Sequence, residues 1–114
     1  MKRPVTPQQR LDAFKKMVKQ KPDEPFVRYS LAMSYRSLGH AEEAVEEFEE
    51  LLRRTPDYVP AYLMLGQVLE RLGRITEAAR TYREGIAAAT RKNDNHAGRE
   101  LGEALEALEA QPEG

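Results

Sequence analysis

Slid against itself by 34 residues, the chain meets its own pattern. Leu31-Ala32 falls on Leu65-Gly66, Leu38-Gly39 on Leu72-Gly73, and Glu43-Ala44 on Glu77-Ala78. Phe48 falls on Tyr82 and Leu52 on Ile86, while Phe14 and Val18 stand 34 residues ahead of Phe48 and Leu52. The matches lie on apolar, small and punctuating residues, and the charges between them vary. Such a period is too short for a domain and too long for one helix. It marks a supersecondary unit that buries its apolar face only by stacking on copies of itself.

Within the unit the spacing is helical. Thr6-Pro7-x-Gln9 reads as a capping box with proline in the first turn, and Leu11, Phe14 and Val18 follow on one face. Leu31, Ala32, Tyr35 and Leu38 make the next face, and Ala41, Ala44, Val45, Phe48, Leu51 and Leu52 the one after. Gly39 and Gly73 fall where a helix must stop, and glycine takes the left-handed conformation there without steric cost. Asp23 and Asp57, each just after a proline, are expected N-caps. Helices are expected near 7–20, 24–38, 41–54, 58–72, 75–91 and 95–110. The last has its stripe, Ala97, Leu101, Ala104, Leu105 and Leu108, displaced by one residue from that of the repeats, and its far side carries Glu100, Glu103, Glu106 and Glu109. It reads as a cap with one wet side. Gly98 and Gly102 are expected to pack on a neighbour or, alternatively, to form a dimer seam.

The 34-residue helix pair resembles the tetratricopeptide repeat, whose pattern runs aromatic, Leu-Gly, Tyr, Ala, aromatic, Pro. Residues 25–58 match through Leu31-Ala32, Tyr35, Gly39, Ala44, Phe48 and Pro56, and residues 59–92 through Tyr62, Leu65-Gly66, Leu69, Gly73, Ala78 and Tyr82. Residues 7–22 match only the second helix of a repeat, through Leu11, Phe14, Val18 and Pro22. The resemblance implies an all-α, right-handed superhelix of about six antiparallel helices in one domain over 1–114. It would hold a half repeat at 7–22, two full repeats and a capping helix at 95–110. Two positions depart from the pattern. Arg28 stands at the first aromatic place, which Phe26 is expected to fill unless it stays open. Thr90 replaces the closing proline, so the second helix of that repeat should run on.

Composition narrows the function. Charged residues are 32% of the chain, but 18 Lys+Arg stand against 19 Asp+Glu, which removes the bulk basic charge of a nucleic-acid binder. There is no cysteine and only two histidines, His40 and His96, both expected at turns or caps, so neither metal nor thiol chemistry is supported. Phosphate-loop spacing is absent, and the serines have no neighbouring base. No enzyme activity, catalytic residue, cofactor or metal is expected. Without an apolar run long enough for a span or a leader, the expected location is cytoplasmic, with no membrane partner.

Charge is segregated along the chain. Residues 1–40 carry nine basic against three acidic residues, and 94–114 one basic against six acidic. The second helices read basic (Arg10, Lys15, Lys16, Lys19), acidic (Glu42, Glu43, Glu46, Glu47, Glu50), then basic (Arg74, Arg80, Arg83). Opposite signs side by side favour this stacking order.

In the family the first helix of each repeat lines a concave groove that binds peptides. Carried over by position, this marks Phe26, Tyr29, Met33, Arg36 and Ser37, then Leu63, Gln67, Glu70 and Arg71. The helical spacing 26, 29, 33, 36 separately defines a stripe distinct from the Leu31–Tyr35–Leu38 core stripe. Apolar residues there are surplus to the repeat core and suit a partner site, unless the first or last helix folds over them. Tyr29, Met33 and Met64 stand where some members carry a Lys/Asn carboxylate clamp, so that clamp is not expected. The expected function is a protein-interaction module holding a segment of another protein, as a monomer rather than a homodimer. The alternative is self-association through the apolar stripe or the last helix.

Overall fold

The structure, a computed structural model, describes residues 3–111, so the first two and last three residues of the expected 1–114 domain lie outside it. Six helices and no strand are found among the described residues: α1 (Pro7–Gln20), α2 (Pro25–Ser37), α3 (Ala41–Arg54), α4 (Pro60–Arg71), α5 (Ile75–Arg91) and α6 (Asn95–Glu109). The expected boundaries hold to within two residues. Each helix packs on the next in the chain, and α6 also packs on α4.

The repeat core follows the repeat pattern. Phe48 and Tyr82 are fully buried, with Ala32, Ala44, Ala61 and Ala78 around them. Gly66 brings α4 so close to α5 that a Cβ there would lie 2.1 Å from the Tyr82 ring. The Thr6 box forms in both directions: Thr6 Oγ1 accepts from the Gln9 amide (3.1 Å), and the Gln9 side chain accepts from the Thr6 amide (2.9 Å). Gly39 (φ +79°) and Gly73 (φ +75°) turn the chain within each repeat, and Asn93 (φ 56°) ends α5 in the same left-handed region.

Four expectations are corrected. Asp23 and Asp57 are not caps. Glu24 and Val59 hold those places without a side-chain bond, because Pro25 and Pro60 open their helices with residues that have no N–H to satisfy. The two aspartates accept instead from Arg54 (2.8 Å) and Arg91 (2.9 Å), pinning each loop to the helix behind it. Phe26 does not fill the place of the missing aromatic; it is 63% exposed. Arg28 fills it, buried at 8% exposure, donating to Glu47 (2.8 Å) and to the Pro22 carbonyl (3.4 Å). Tyr62 donates to the Pro56 carbonyl (2.6 Å), the equivalent acceptor one repeat later. Finally, the stripe of α6 is displaced by two residues rather than one: buried Leu65 is matched by buried Leu101. The cause lies in the loss of the closing proline. With Thr90 in its place, α5 continues for 17 residues where α3 has 14.

Candidate protein-interaction face

Helix α2 buries Arg28, Leu31 and Ala32. Phe26, Tyr29 and Met33 lie about 140° around the helix from that stripe, and all three line a cleft of about 330 Å³ together with Pro7, Arg10 and Phe14 of α1. Three serines, Ser30, Ser34 and Ser37, supply its polar rim, and Arg10 is its one charged lining residue. Tyr29 also lines a second cavity of about 260 Å³, whose other walls are Leu63 and Met64 of α4 and Ala97, Glu100 and Leu101 of α6. The two cavities therefore meet at Tyr29. Neither terminal helix closes over the face: α1 and α6 form walls, and Phe26 remains mostly exposed between them.

Tyr29 does not stand apart from the core, as its stripe suggested. Its ring meets Phe48 edge-on (centroids 6.0 Å apart) and Tyr58 at 5.4 Å. Burial pushes its hydroxyl pKa up, partly opposed by the charge of Arg36. Arg36 is half-buried and its Nε is sequestered from water without a hydrogen-bond partner. Glu70 accepts a hydrogen bond from the Tyr82 hydroxyl, which ties this groove candidate into the core. Gln67 is half-buried and Arg71 exposed on α4.

The wall residues Arg10, Phe14, Ala97 and Glu100 were not marked from the sequence. Phe14 had a signal, since its repeat equivalents Phe48 and Tyr82 each cover a first helix and α1 is the first of the described helices. The far rim is acidic, with Asp94 capping the Ala97 amide (3.1 Å) and Glu100 paired with His96 (2.7 Å). No described helix is long and apolar enough to cross a membrane.

Helix pairs recurring at 34 residues, aromatic-over-small packing and an open apolar face define an α-helical repeat scaffold. A family model, Tetratricopeptide repeat, matches residues 29–94, more than half of the chain, and the chain belongs to that family. It is 38% identical to a tetratricopeptide repeat domain protein from Salinibacter ruber, whose crystal structure superposes with a TM-score of 0.73 over 76% of this chain and 98% of that one. It is 25% identical over 91 residues to a TPR repeat-containing protein of Pseudomonas aeruginosa, covering 80% of this chain and 87% of the relative. In fold alone it also resembles the TPR2B domain of yeast Sti1, solved as a complex with pHsp70 (17% identity, TM-score 0.85, 93% and 85% covered).

Proposed function

We propose that this chain is a non-enzymatic interaction module that holds a segment of another protein across the face formed by α2, α4 and α6. The observation carrying this reading is the pair of apolar cavities that share Tyr29. Two adjacent anchor pockets suit two apolar side chains of one bound segment. Phe26, Met33 and Leu63 supply the apolar contact, and Tyr29, braced by Phe48 and Tyr58, supplies a rigid wall between the pockets. The serines of the first pocket, together with Gln67, Arg36 and Arg71, set polarity and register; Glu70 is already engaged by Tyr82. The pHsp70 complex of the yeast Sti1 domain supports the general mode of use of such a scaffold.

Panning a phage-displayed random peptide library against the purified protein tests this. Enriched peptides should bind, and Phe26→Ala with Met33→Ala should weaken them about 30-fold, the loss of ~2 kcal/mol typical of a central anchor. Phe26 is exposed and Met33 only half-buried at the edge of the core, so circular dichroism should stay helical while the unfolding midpoint falls modestly, and binding is compared well below that midpoint. No enrichment, or peptides that bind the double variant equally well, refutes the reading.

A further inference from the structure

The helices alternate in type. α2, α4 and α6 are first helices of a repeat, and α1, α3 and α5 are second helices. Among the described residues, α1 is therefore a second helix without its first, and α6 a first helix without its second. Each keeps residue types that elsewhere meet such a partner helix. Tyr82 closes over Gly66 of its own repeat and is fully buried, whereas Phe14, its equivalent on α1, borders an open cleft. Met17 is 45% exposed, whereas its equivalent Leu51 is 1% exposed.

At the other end, Leu101-Gly102 repeats Leu31-Ala32 and Leu65-Gly66. Leu101 is buried and its methyls would lie 3.0 Å from a Cβ on Gly85 of α5, so Gly102 turns toward the side where the next second helix belongs. A Cβ on Gly102 would meet nothing within 4 Å, where one on Gly66 would collide with an aromatic ring. Gly98 holds the place of Tyr62, and Glu106 that of Glu70.

We propose that copies of this chain stack head to tail, with α6 of one copy and α1 of the next joining as the two helices of a single repeat. Phe14 then seats over Gly102 as Tyr82 seats over Gly66. One turn along α1, Met17 takes the place of Gly85 and meets Gly98 in the place of Tyr62, so large and small exchange sides. In the other direction Arg10 replaces a small residue, Ala44 or Ala78, and comes to the end of α6 that carries Glu106 and Glu109. A glycine inside a helix is an unfavourable choice, which this seam accounts for at Gly102; Gly98 also faces Ala89 of α5, 3.8 Å from where its Cβ would lie. Charge selects the same arrangement. α1 carries Arg10, Lys15, Lys16 and Lys19 against Asp12, and α6 carries Glu100, Glu103, Glu106 and Glu109 against Arg99. Unlike ends attract and like ends repel, so the contact is heterologous and stays open, unlike a two-fold dimer. Met17, Gly98, Gly102 and Glu106 line neither cavity of the interaction face, whereas Phe14 and Arg10 also border the first; mass measured with no added segment therefore reads the association separately from segment binding.

Sedimentation velocity on the intact chain, from micromolar to near-millimolar, tests the proposal. The weight-average mass should climb with concentration without levelling off, and the climb should shrink in high salt. Gly102→Lys blocks the α6 end and Met17→Glu the α1 end. Each variant alone should stay at single-chain mass, and an equal mixture should form a two-chain complex and nothing larger, because one good junction remains. Met17 is exposed and a Cβ on Gly102 meets nothing within 4 Å; Glu106→Arg and Arg10→Glu make the same blocks if circular dichroism shows either variant unfolded. A single-chain mass at every concentration overturns the proposal. So does a plateau at two chains, or a blocked variant that still grows.

Discussion

The same substitution, glycine to alanine, should have opposite signs at Gly66 and Gly102. Both glycines lie inside helices, and each follows a buried leucine of equivalent register. Relieving the backbone entropy of a helical glycine is worth about 1 kcal/mol at either site. At Gly102 nothing lies within 4 Å of the new carbon, so the gain stands alone. At Gly66 the carbon lands 2.1 Å from Tyr82 Cε1 and 2.6 Å from Cζ, against 3.4 Å or more for ordinary contact, so the ring must retreat by more than an ångström. It has nowhere to go, because Tyr82 is fully buried and its hydroxyl is held by Glu70. Overpacking costs about 1–3 kcal/mol, and disrupting a hydrogen bond to a charged group about 1.5–3 more. After the helix gain, Gly66→Ala should destabilise by about 1.5–5 kcal/mol. The first repeat shows the escape: Ala32 is tolerated beside Phe48, which has no hydroxyl to anchor it. Gly66→Ala with Tyr82→Phe should therefore be more stable than the sum of the two single changes predicts. Urea unfolding followed by circular dichroism at low protein concentration measures all four variants. Equal effects at Gly66 and Gly102, or additive behaviour in the double variant, would refute the reasoning.

Two further outcomes follow from particular side chains. Arg28→Ala leaves both Glu47 and the Pro22 carbonyl without a donor and should cost about 1–3 kcal/mol, whereas Arg28→Tyr should cost clearly less, because its ring fills the site and its hydroxyl can reach the Pro22 carbonyl as Tyr62 reaches that of Pro56, leaving Glu47 alone unpaired. Urea midpoints that fall equally for both changes would contradict this. Glu50 accepts from Arg53 and Arg54, which hold its carboxyl down at about 2 against an ordinary 4.5. A folded-state value below the unfolded one stabilises above pH 4.5, and that contribution disappears as the pH falls toward 2. Carboxyl NMR titration should show the low value, and Arg53→Ala with Arg54→Ala should return it toward 4.5.

Local chemistry was the legible part of this molecule. Gly39, Gly73 and the Thr6–Gln9 box act within a few residues of themselves, so helix ends could be read to within two residues. The loss of the proline at Thr90 was equally local, and α5 runs on as that loss requires. The aspartates after Pro22 and Pro56 misled because two rules competed for one site, and the prolines that open α2 and α4 removed the need for a cap. Arg28 and Tyr29 were read less well for a different reason. Whether an arginine can replace an aromatic depends on Glu47 and the Pro22 carbonyl, and whether Tyr29 is free depends on Phe48 and Tyr58; such distances exist only once the helices are stacked. The walls that α1 and α6 contribute to the interaction face belong to the same class. A repeat sequence displays what each unit does for its neighbour, so it says least where a neighbour is missing. Those end helices are where Phe14, Met17 and Gly102 keep the repeat's residue types without the contacts that explain them elsewhere.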